Sequence, residues 1–275
     1  MLIIKVGGGE GIYYDTVCSD LARLYHKGRS CLLVHGGSHE TNILSERLGH
    51  PPRFVTTVSG YESRYTDRKT IEIFEMAYCG KINKMIVEIL QSHDVPAIGL
   101  SGLDGKLLLA ARKPTLTIVE NGKKKVLRDD YTGKIESVNT DLIHLLYQAG
   151  YVLAVCPPAI SREHQAVNVD GDRAAARIAE AVKADDLVIL SNVPGLLEKI
   201  DDPTTLIKDI KLSEIDQYFE YAKGRMKRKL LAAKEALLGG VTRVTLGDAR
   251  VDFPITYALS GNGTVITRRD DSSRD

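Results

Sequence analysis

A short apolar run, Leu2–Val6, stops at the glycines Gly7, Gly8, Gly9 and Gly11. A segment with apolar residues at helical spacing follows: Tyr14, Val17, Cys18, Leu21, Leu24 and Tyr25. This three-part unit recurs, and its recurrence constrains the fold more than any other feature of the chain. Gly28 closes the first helix, 31–34 is again an apolar run, Gly36-Gly37-Ser38 is again a turn, and a helical stretch runs through Leu48. Unbroken apolar runs suit strands covered on both faces, and strands alternating with helices form parallel β-α-β units. The same rhythm predicts helices over 80–92, 138–149, 172–183 and 227–238, and strands over 95–99, 151–155, 186–190 and 241–246. Residues 106–128 break it. There two alternating runs flank Asn121-Gly122, a dipeptide that tolerates the positive φ angles of a type I′ turn, which predicts a hairpin placed as a surface flap or lid.

A chain of 275 residues is long enough for one large or two closely joined α/β lobes, with a boundary near residue 165. The formal net charge of +1 gives no global pull toward nucleic acid or a membrane, so attraction to a charged partner must come from a local patch. Cys18, Cys31, Cys79 and Cys156 lie far apart with no paired spacing, which argues against a zinc site or a disulfide framework. The first apolar run is too short for a signal segment or a membrane span, and the expectation is a cytoplasmic protein. The polar tail 268–275 is expected to fray.

Four places carry residues able to do chemistry. Lys5 precedes Gly7, Gly8 and Gly9; glycines after a strand let backbone N–H groups approach an anion, and the lysine would add a point charge. The bland alternative is a plain β-α turn with a solvated lysine. The run is neither a Walker loop nor G-x-G-x-x-G. His35-Gly36-Gly37-Ser38 is a second loop of this kind, and two such loops on adjacent parallel strands would meet at the carboxyl edge of the sheet, where open α/β sheets bind ligands. Asn168-Val169-Asp170-Gly171-Asp172 precedes a helix, and the bland alternative to a chemical role is strong here, because Asp172 is a natural N-cap. Gly224-Arg225-Met226-Lys227-Arg228-Lys229 opens another helix and as a bare pattern reads as a solvated basic face.

Taken in order, Lys5-Val6-Gly7-Gly8, His35-Gly36-Gly37, Arg64-Tyr65-Thr66-Asp67, Gly99-Leu100-Ser101-Gly102, Asn168 to Asp172, Ser191-Asn192-Val193-Pro194-Gly195 and Gly224 to Lys229 form a recognisable series. The chain resembles the amino-acid-kinase superfamily over almost its whole length, and within it the N-acetylglutamate kinase group. Ser63 to Asp67, Tyr131-Thr132-Gly133-Lys134-Ile135 and Met226 to Leu230 look most like the branch whose acceptor is tethered to the small acidic carrier protein LysW, the LysW-aminoadipate and LysW-glutamate kinases. The resemblance implies an α/β fold, a three-layer α/β/α sandwich around a mostly parallel central sheet with an inserted β-hairpin, usually in a homodimer. It implies an acceptor-binding N-terminal lobe, 1–165, and an ATP-binding C-terminal lobe, 166–275.

By matching positions, Lys5 and Lys229 would stabilise the transferring phosphoryl group, with Asp172 holding both. Gly8, Gly36 and Gly37 would supply backbone donors, and Arg64 and Asn168 would bind the acceptor's α-carboxylate. Lys5, Gly7, Gly8, Ser191, Asn192, Gly195 and Lys229 would line the nucleotide. The implied cofactors are ATP and Mg2+, with no residue assigned as a metal ligand. Ser38 stands where many relatives have a third glycine, and Ser191-Asn192 stands where many have Thr-Asp. The carrier would need a basic rim; Arg112-Lys113 and Lys123-Lys124-Lys125, on the two hairpin arms, are placed to form one patch that Arg64, Arg68 and Lys69 could extend, the bland alternative being lysines that keep exposed edge strands from aggregating. Two rival readings stand beside this one: a kinase of free N-acetylglutamate in arginine biosynthesis, and a nucleotide-binding regulator without turnover.

Overall fold

The computed structural model describes residues 1–58, 60, 62–120 and 122–268. Asn121 of the expected turn and residues 269–275 of the tail lie outside the described residues. The chain runs β1 (Leu2–Val6), α1 (Tyr14–His26), β2 (Cys31–His35), α2 (Ser38–Arg47), β3 (Phe54–Thr56) and β4 (Glu62–Arg64). It continues with α3 (Arg68–Glu75), a wide π-helical turn (Met76–Ile82), α4 (Asn83–Ser92), β5 (Ala97–Gly102), β6 (Leu108–Glu120) and β7 (Lys123–Val138). Next come α5 (Thr140–Gln148), β8 (Val152–Ser161), β9 (Ala166–Val167), α6 (Gly171–Ala181) and β10 (Asp186–Ser191). The last elements are β11 (Asp209–Lys211), α7 (Arg225–Leu238), β12 (Arg243–Asp248), α8 (Pro254–Leu259) and β13 (Thr264–Thr267).

One large sheet carries the order β11-β13-β12-β10-β1-β2-β8-β6-β7, with β5 and β9 also paired to β8. Its centre is parallel: β1 lies between β10 and β2, with Lys5 opposite both Ile189 and Val34. The sheet is continuous across residue 165, so the two expected lobes share it. Side chains alternate between its faces. Ile3, Leu32, Val34, Leu187 and Ile189 pack with Ala175 and Ile178 of α6 and Leu230 and Ala233 of α7. Leu2, Ile4 and Val6 pack on the other face with Leu21 of α1, Ile86 and Leu90 of α4, and Ile255 of α8. Each such fully buried aliphatic side chain is worth about 1.5–3 kcal/mol over leaving it in water, so two filled layers hold the strand edges rigidly. The result is the expected α/β/α sandwich. Among the described residues no helix is long and apolar enough to cross a membrane.

Four expectations are corrected. The helix placed at 80–92 begins far earlier, at Arg68, where the Asp67 side chain caps it by accepting the Thr70 N–H. Phe74, Tyr78, Ile82, Ile86 and Leu90 are all buried and recur every four residues. An α-helix turns every 3.6 residues, and the wide turn absorbs part of the mismatch that otherwise would rotate this row off the core. The second hairpin arm runs to Val138, beyond the expected end at 128, and β8 continues to Ser161 rather than ending near 155. The helix expected from 138 instead starts at Thr140, capped by Asn139, whose side chain accepts the Leu142 N–H.

Candidate active site

Lys5 follows Ile3 by two residues and therefore projects from the same face of β1, toward α6 and α7. There its Nζ lies 2.6 Å from Asp172 Oδ1. Lys229, on the second turn of α7, places its Nζ 3.0 Å from Asp172 Oδ2 and 3.2 Å from Oδ1. One buried carboxylate thus holds two buried ammonium groups. Asp172 is not the helix cap that its position suggests. Asp170 caps α6, its side chain accepting the Arg173 N–H, and Asp172 sits inside the first turn, facing the sheet. A clamp between helices sets the spacing: Arg173 of α6 donates to Glu235 of α7 through Nε at 2.8 Å and Nη2 at 2.5 Å. Such a fork-on-fork pair fixes orientation as well as distance.

Burial by itself raises the Asp172 carboxyl, but Lys229 and Lys5 outweigh it and hold the group well below the ordinary carboxylate range. Burial lowers the Lys229 ammonium, with Asp172 opposing and Lys5 adding to the shift. With one carboxylate against two ammonium groups, the cluster carries a spare positive charge in a dry place. An anion arriving there gains the full attraction that water would otherwise screen.

The two glycine loops touch. A Cβ at Gly8 would sit 1.9 Å from the Gly37 nitrogen and 2.5 Å from the Gly36 carbonyl carbon, so a side chain at Gly8 would force the loops apart. Gly36 donates its N–H to the Val6 carbonyl and Gly7 donates its own to the Leu190 carbonyl, each at 2.9 Å. The expected role of Gly36 as a backbone donor to a ligand is therefore corrected: the sheet uses that N–H. Ser38, the apparent departure, donates its hydroxyl to the Gly8 carbonyl at 3.0 Å and so ties the loops together. His35 is wholly buried; its Nδ1–H donates to the Gly36 carbonyl at 2.9 Å and its Nε2 accepts from Asn83 Nδ2 at 3.0 Å. That assignment requires a neutral ring, and burial lowers the His35 pKa to about 4.

Arg64 and Asn168 come from β4 and from the chain just before α6, and Thr66 links them. Asn168 Nδ2 donates to Thr66 Oγ1 at 3.2 Å, and that hydroxyl donates to the Arg64 carbonyl at 3.2 Å. Arg64 Nη2 donates to Asn42 Oδ1 at 2.5 Å, while its buried Nη1 has no hydrogen-bond partner among the described residues. Burial lowers the Arg64 pKa, and the nearby charge of Arg225 lowers it further. Arg225 also reaches Gly9, its Nη1 lying 3.6 Å from where a Gly9 Cβ would stand. Arg225 is the first residue of α7, directly after Gly224, and only the placement of that helix against the β1 loop brings it to the site; as part of a basic run it carries no local signal of that role.

Ser191 ends β10, beside β1, and Gly195 packs so closely on Thr264 that a Cβ would lie 2.5 Å from its hydroxyl oxygen. The Lys5–Gly8, His35–Gly37 and Ser191–Gly195 segments therefore leave the carboxyl ends of three adjacent parallel strands, β1, β2 and β10, at the point where the chain's strand order reverses. The hairpin does not form the expected single basic patch. Lys113 pairs opposite Thr132 while Lys125 and Lys123 pair opposite Ile118 and Glu120, so the two lysine groups stand five to seven residues of β6 apart, roughly 17–23 Å. Arg112 is committed, donating to the Asp130 carbonyl at 2.9 Å and to Gln165 at 2.7 Å while stacking on Tyr131.

A parallel α/β sandwich with lysine-bearing glycine loops at its switch point is the arrangement of a phosphoryl-transfer fold, and the chain belongs to the Amino acid kinase family, whose signature spans residues 1–248. Its similarity to individual members is high. It is 56% identical over 267 residues to the LysW-aminoadipate kinase of Deinococcus radiodurans, covering 97% of this chain and 91% of that protein. It is 54% identical over 268 residues to the LysW-aminoadipate kinase of Thermus thermophilus, covering 97% and 100%. Among solved structures, N-acetylglutamate synthase from Neisseria gonorrhoeae shares the fold with a TM-score of 0.79 at 24% identity; the match covers 98% of this chain and 59% of that longer one.

Proposed function

We propose that this kinase transfers the γ-phosphoryl group of ATP to the side-chain carboxylate of α-aminoadipate tethered to a small acidic LysW-type carrier protein, giving an acyl phosphate. The observation that carries the reading is the buried Lys5–Asp172–Lys229 cluster at the carboxyl edge of the sheet. The nearly full-length similarity to two kinases named for the LysW-linked acceptor supports the choice of substrate.

The chemistry needs no general base. A side-chain carboxylate with an ordinary pKa near 4.3 is already ionised at neutral pH and attacks phosphorus directly. As the new C(O)–O–P bond forms, the β,γ-bridging bond breaks and ADP leaves with its electron pair. The obstacle is repulsion between the carboxylate and the polyphosphate. Lys5 and Lys229 offset it, and Asp172 keeps both ammonium groups charged and in place. Gly8 and Gly37 add backbone donors. Arg64, whose Nη1 has no partner among the described residues, and Asn168 are placed to take the acceptor's α-carboxylate. Ser191, Asn192 and Gly195 flank the nucleotide, which supports a division in which residues 1–165 serve chiefly the acceptor and 166–275 chiefly ATP, with Lys5, Gly8 and Asn168 acting across it.

The acids at the site are already engaged: Asp172 by two lysines, and Asp170 by the Arg173 N–H with Arg228 Nη1 3.6 Å away. Among the described residues no group of acidic, histidine or cysteine side chains forms a metal cage, so Mg2+ would come with the phosphates, where it would neutralise charge. The assembly carried over from the family is a homodimer, which light scattering would test. Trapping the acyl phosphate with hydroxylamine tests the reaction itself. Carrier-linked aminoadipate should give the highest kcat/KM, ahead of carrier-linked glutamate and free N-acetylglutamate; preference for the free acceptor would sink the carrier reading, and no product from any of the three would sink the kinase reading.

A further inference from the structure

A single hydroxyl sits beneath both glycine loops. Tyr14, the first residue of α1, is buried, and its O–H lies 3.3 Å from the Gly7 carbonyl and 3.1 Å from the Gly36 carbonyl. One proton serves two acceptors, as a bifurcated bond. Burial pushes the Tyr14 phenol far above its ordinary range, so it remains a neutral donor. The Gly36 carbonyl also takes the His35 Nδ1–H at 2.9 Å, which occupies its second lone pair.

These bonds act on peptide planes. In a trans peptide the N–H points opposite to the C=O that precedes it. Glycine lets such a plane rotate more freely than any other residue does, so the 7–8 and 36–37 peptides need an outside hold. Tyr14 belongs to the layer of Leu2, Ile4 and Val6 on the α1 side of the sheet, whereas Lys5, Asp172 and Lys229 lie on the α6 side. Drawing the Gly7 and Gly36 carbonyls toward Tyr14 turns the Gly8 and Gly37 N–H groups away from it. Because the two loops are in van der Waals contact at Gly8, neither plane turns without disturbing the other.

We infer that Tyr14 is a positioning residue that locks both glycine turns in one register and aims the Gly8 and Gly37 N–H groups at the transferring phosphoryl group. What those N–H groups meet rests on the kinase reading; the lock itself does not. Tyr14→Phe keeps the ring and its volume and removes only the O–H. The full chain, labelled with 15N-glycine, should show the Gly8 and Gly37 amide resonances displaced by this change. Its kcat should fall about tenfold while KM for Mg·ATP moves less than about twofold, the size expected for losing one aligned donor interaction. Tyr25→Phe, in the same helix but away from the loops, should move none of these. A purely structural role would lower the melting temperature and leave the kcat of folded protein and both amides unchanged; that result overturns the inference. If the amides move but neither protein phosphorylates a carboxylate, the lock stands and the kinase reading falls. If the parent is active and Tyr14→Phe matches it, the reverse holds.

Discussion

The Lys5–Asp172–Lys229 cluster and the hairpin tip use the same two charge types at the same separations. Ammonium and carboxylate stand 2.6 and 3.0 Å apart in the first, and 2.7 Å apart in the second, where Lys125 meets Glu120. Their surroundings differ. The side chains of Lys5, Asp172 and Lys229 are 7%, 8% and 9% exposed, whereas Lys125 and Glu120 are 53% and 44% exposed. In water the pair at the tip gains little, because solvent and salt screen it and two long side chains must be immobilised. In the interior a charge without a partner is expensive, so the odd count of the buried cluster is a strong demand for an anion. The lesson is that distance alone does not rank an ion pair; burial and charge balance do.

Lys229→Ala should break the comparison most severely. With the spare charge gone, kcat should drop by about a thousandfold while circular dichroism stays near the parent's, in line with losing a buried, preorganised electrostatic group. A loss smaller than tenfold would mean the cluster is merely structural. Asp172→Asn should come next, leaving two buried ammonium groups with no counter-charge. Chemical denaturation should show a loss of about 3–5 kcal/mol, the usual penalty for stranding a buried charge. Glu120→Gln at the tip should leave the denaturation midpoint where it was.

Acid separates the two regions further. Asp172 titrates below its ordinary 3.8, so its contribution is present above that pH and is lost as pH falls through the folded value. His35 acts at milder pH. Its folded pKa of about 4 lies below the ordinary 6.5, so between these values the unfolded chain binds the extra proton and stability falls as pH is lowered. The loss across that window should be about 3 kcal/mol, and His35→Gln should flatten it. A pH-independent parent stability between 6.5 and 4 would contradict the buried neutral ring. The smallest effect is expected at the tip. Changing Lys123 and Lys124 to Glu should lower kcat/KM for the carrier-linked acceptor by about two- to fivefold, fading with added salt and absent with a free acceptor. An effect equal at high and low salt would point to direct contact instead of steering.

Much of the fold was legible because its signals are local. A buried parallel strand is an unbroken apolar run and its loop is a glycine cluster, so β1, β2, β8, β10 and β12 announce themselves within a few residues. The same locality hides α3: the helix is expected only from residue 80, and Asp67, quoted as part of a motif, is not recognisable there as a cap. Lys5, Lys229 and Asp172 as their holder could be quoted from order and resemblance, but the local pattern by itself makes Asp172, not Asp170, the helix cap. Both are acidic and both sit at a helix start; only the placement of α7 against β1 makes one the cap and the other the bridge. Tyr14, Asn83 and Glu235 went unnoticed as contributors because their partners, Gly36, His35 and Arg173, come from other elements. The basic patch failed for a related reason: hairpin register, not sequence proximity, decides which lysines are neighbours.

By itself, then, the chain's sequence determined the layered α/β plan, the glycine turns and the residue types available for handling an anion, since hydrophobic period and glycine placement act within a few residues. Only the tertiary structure decided that Lys5, Asp172 and Lys229 share one dry site, that Gly36 donates to the sheet and not outward, and that the hairpin's lysines stand apart. Those outcomes depend on which surfaces are removed from water together, and that is settled by packing between elements far apart along the chain.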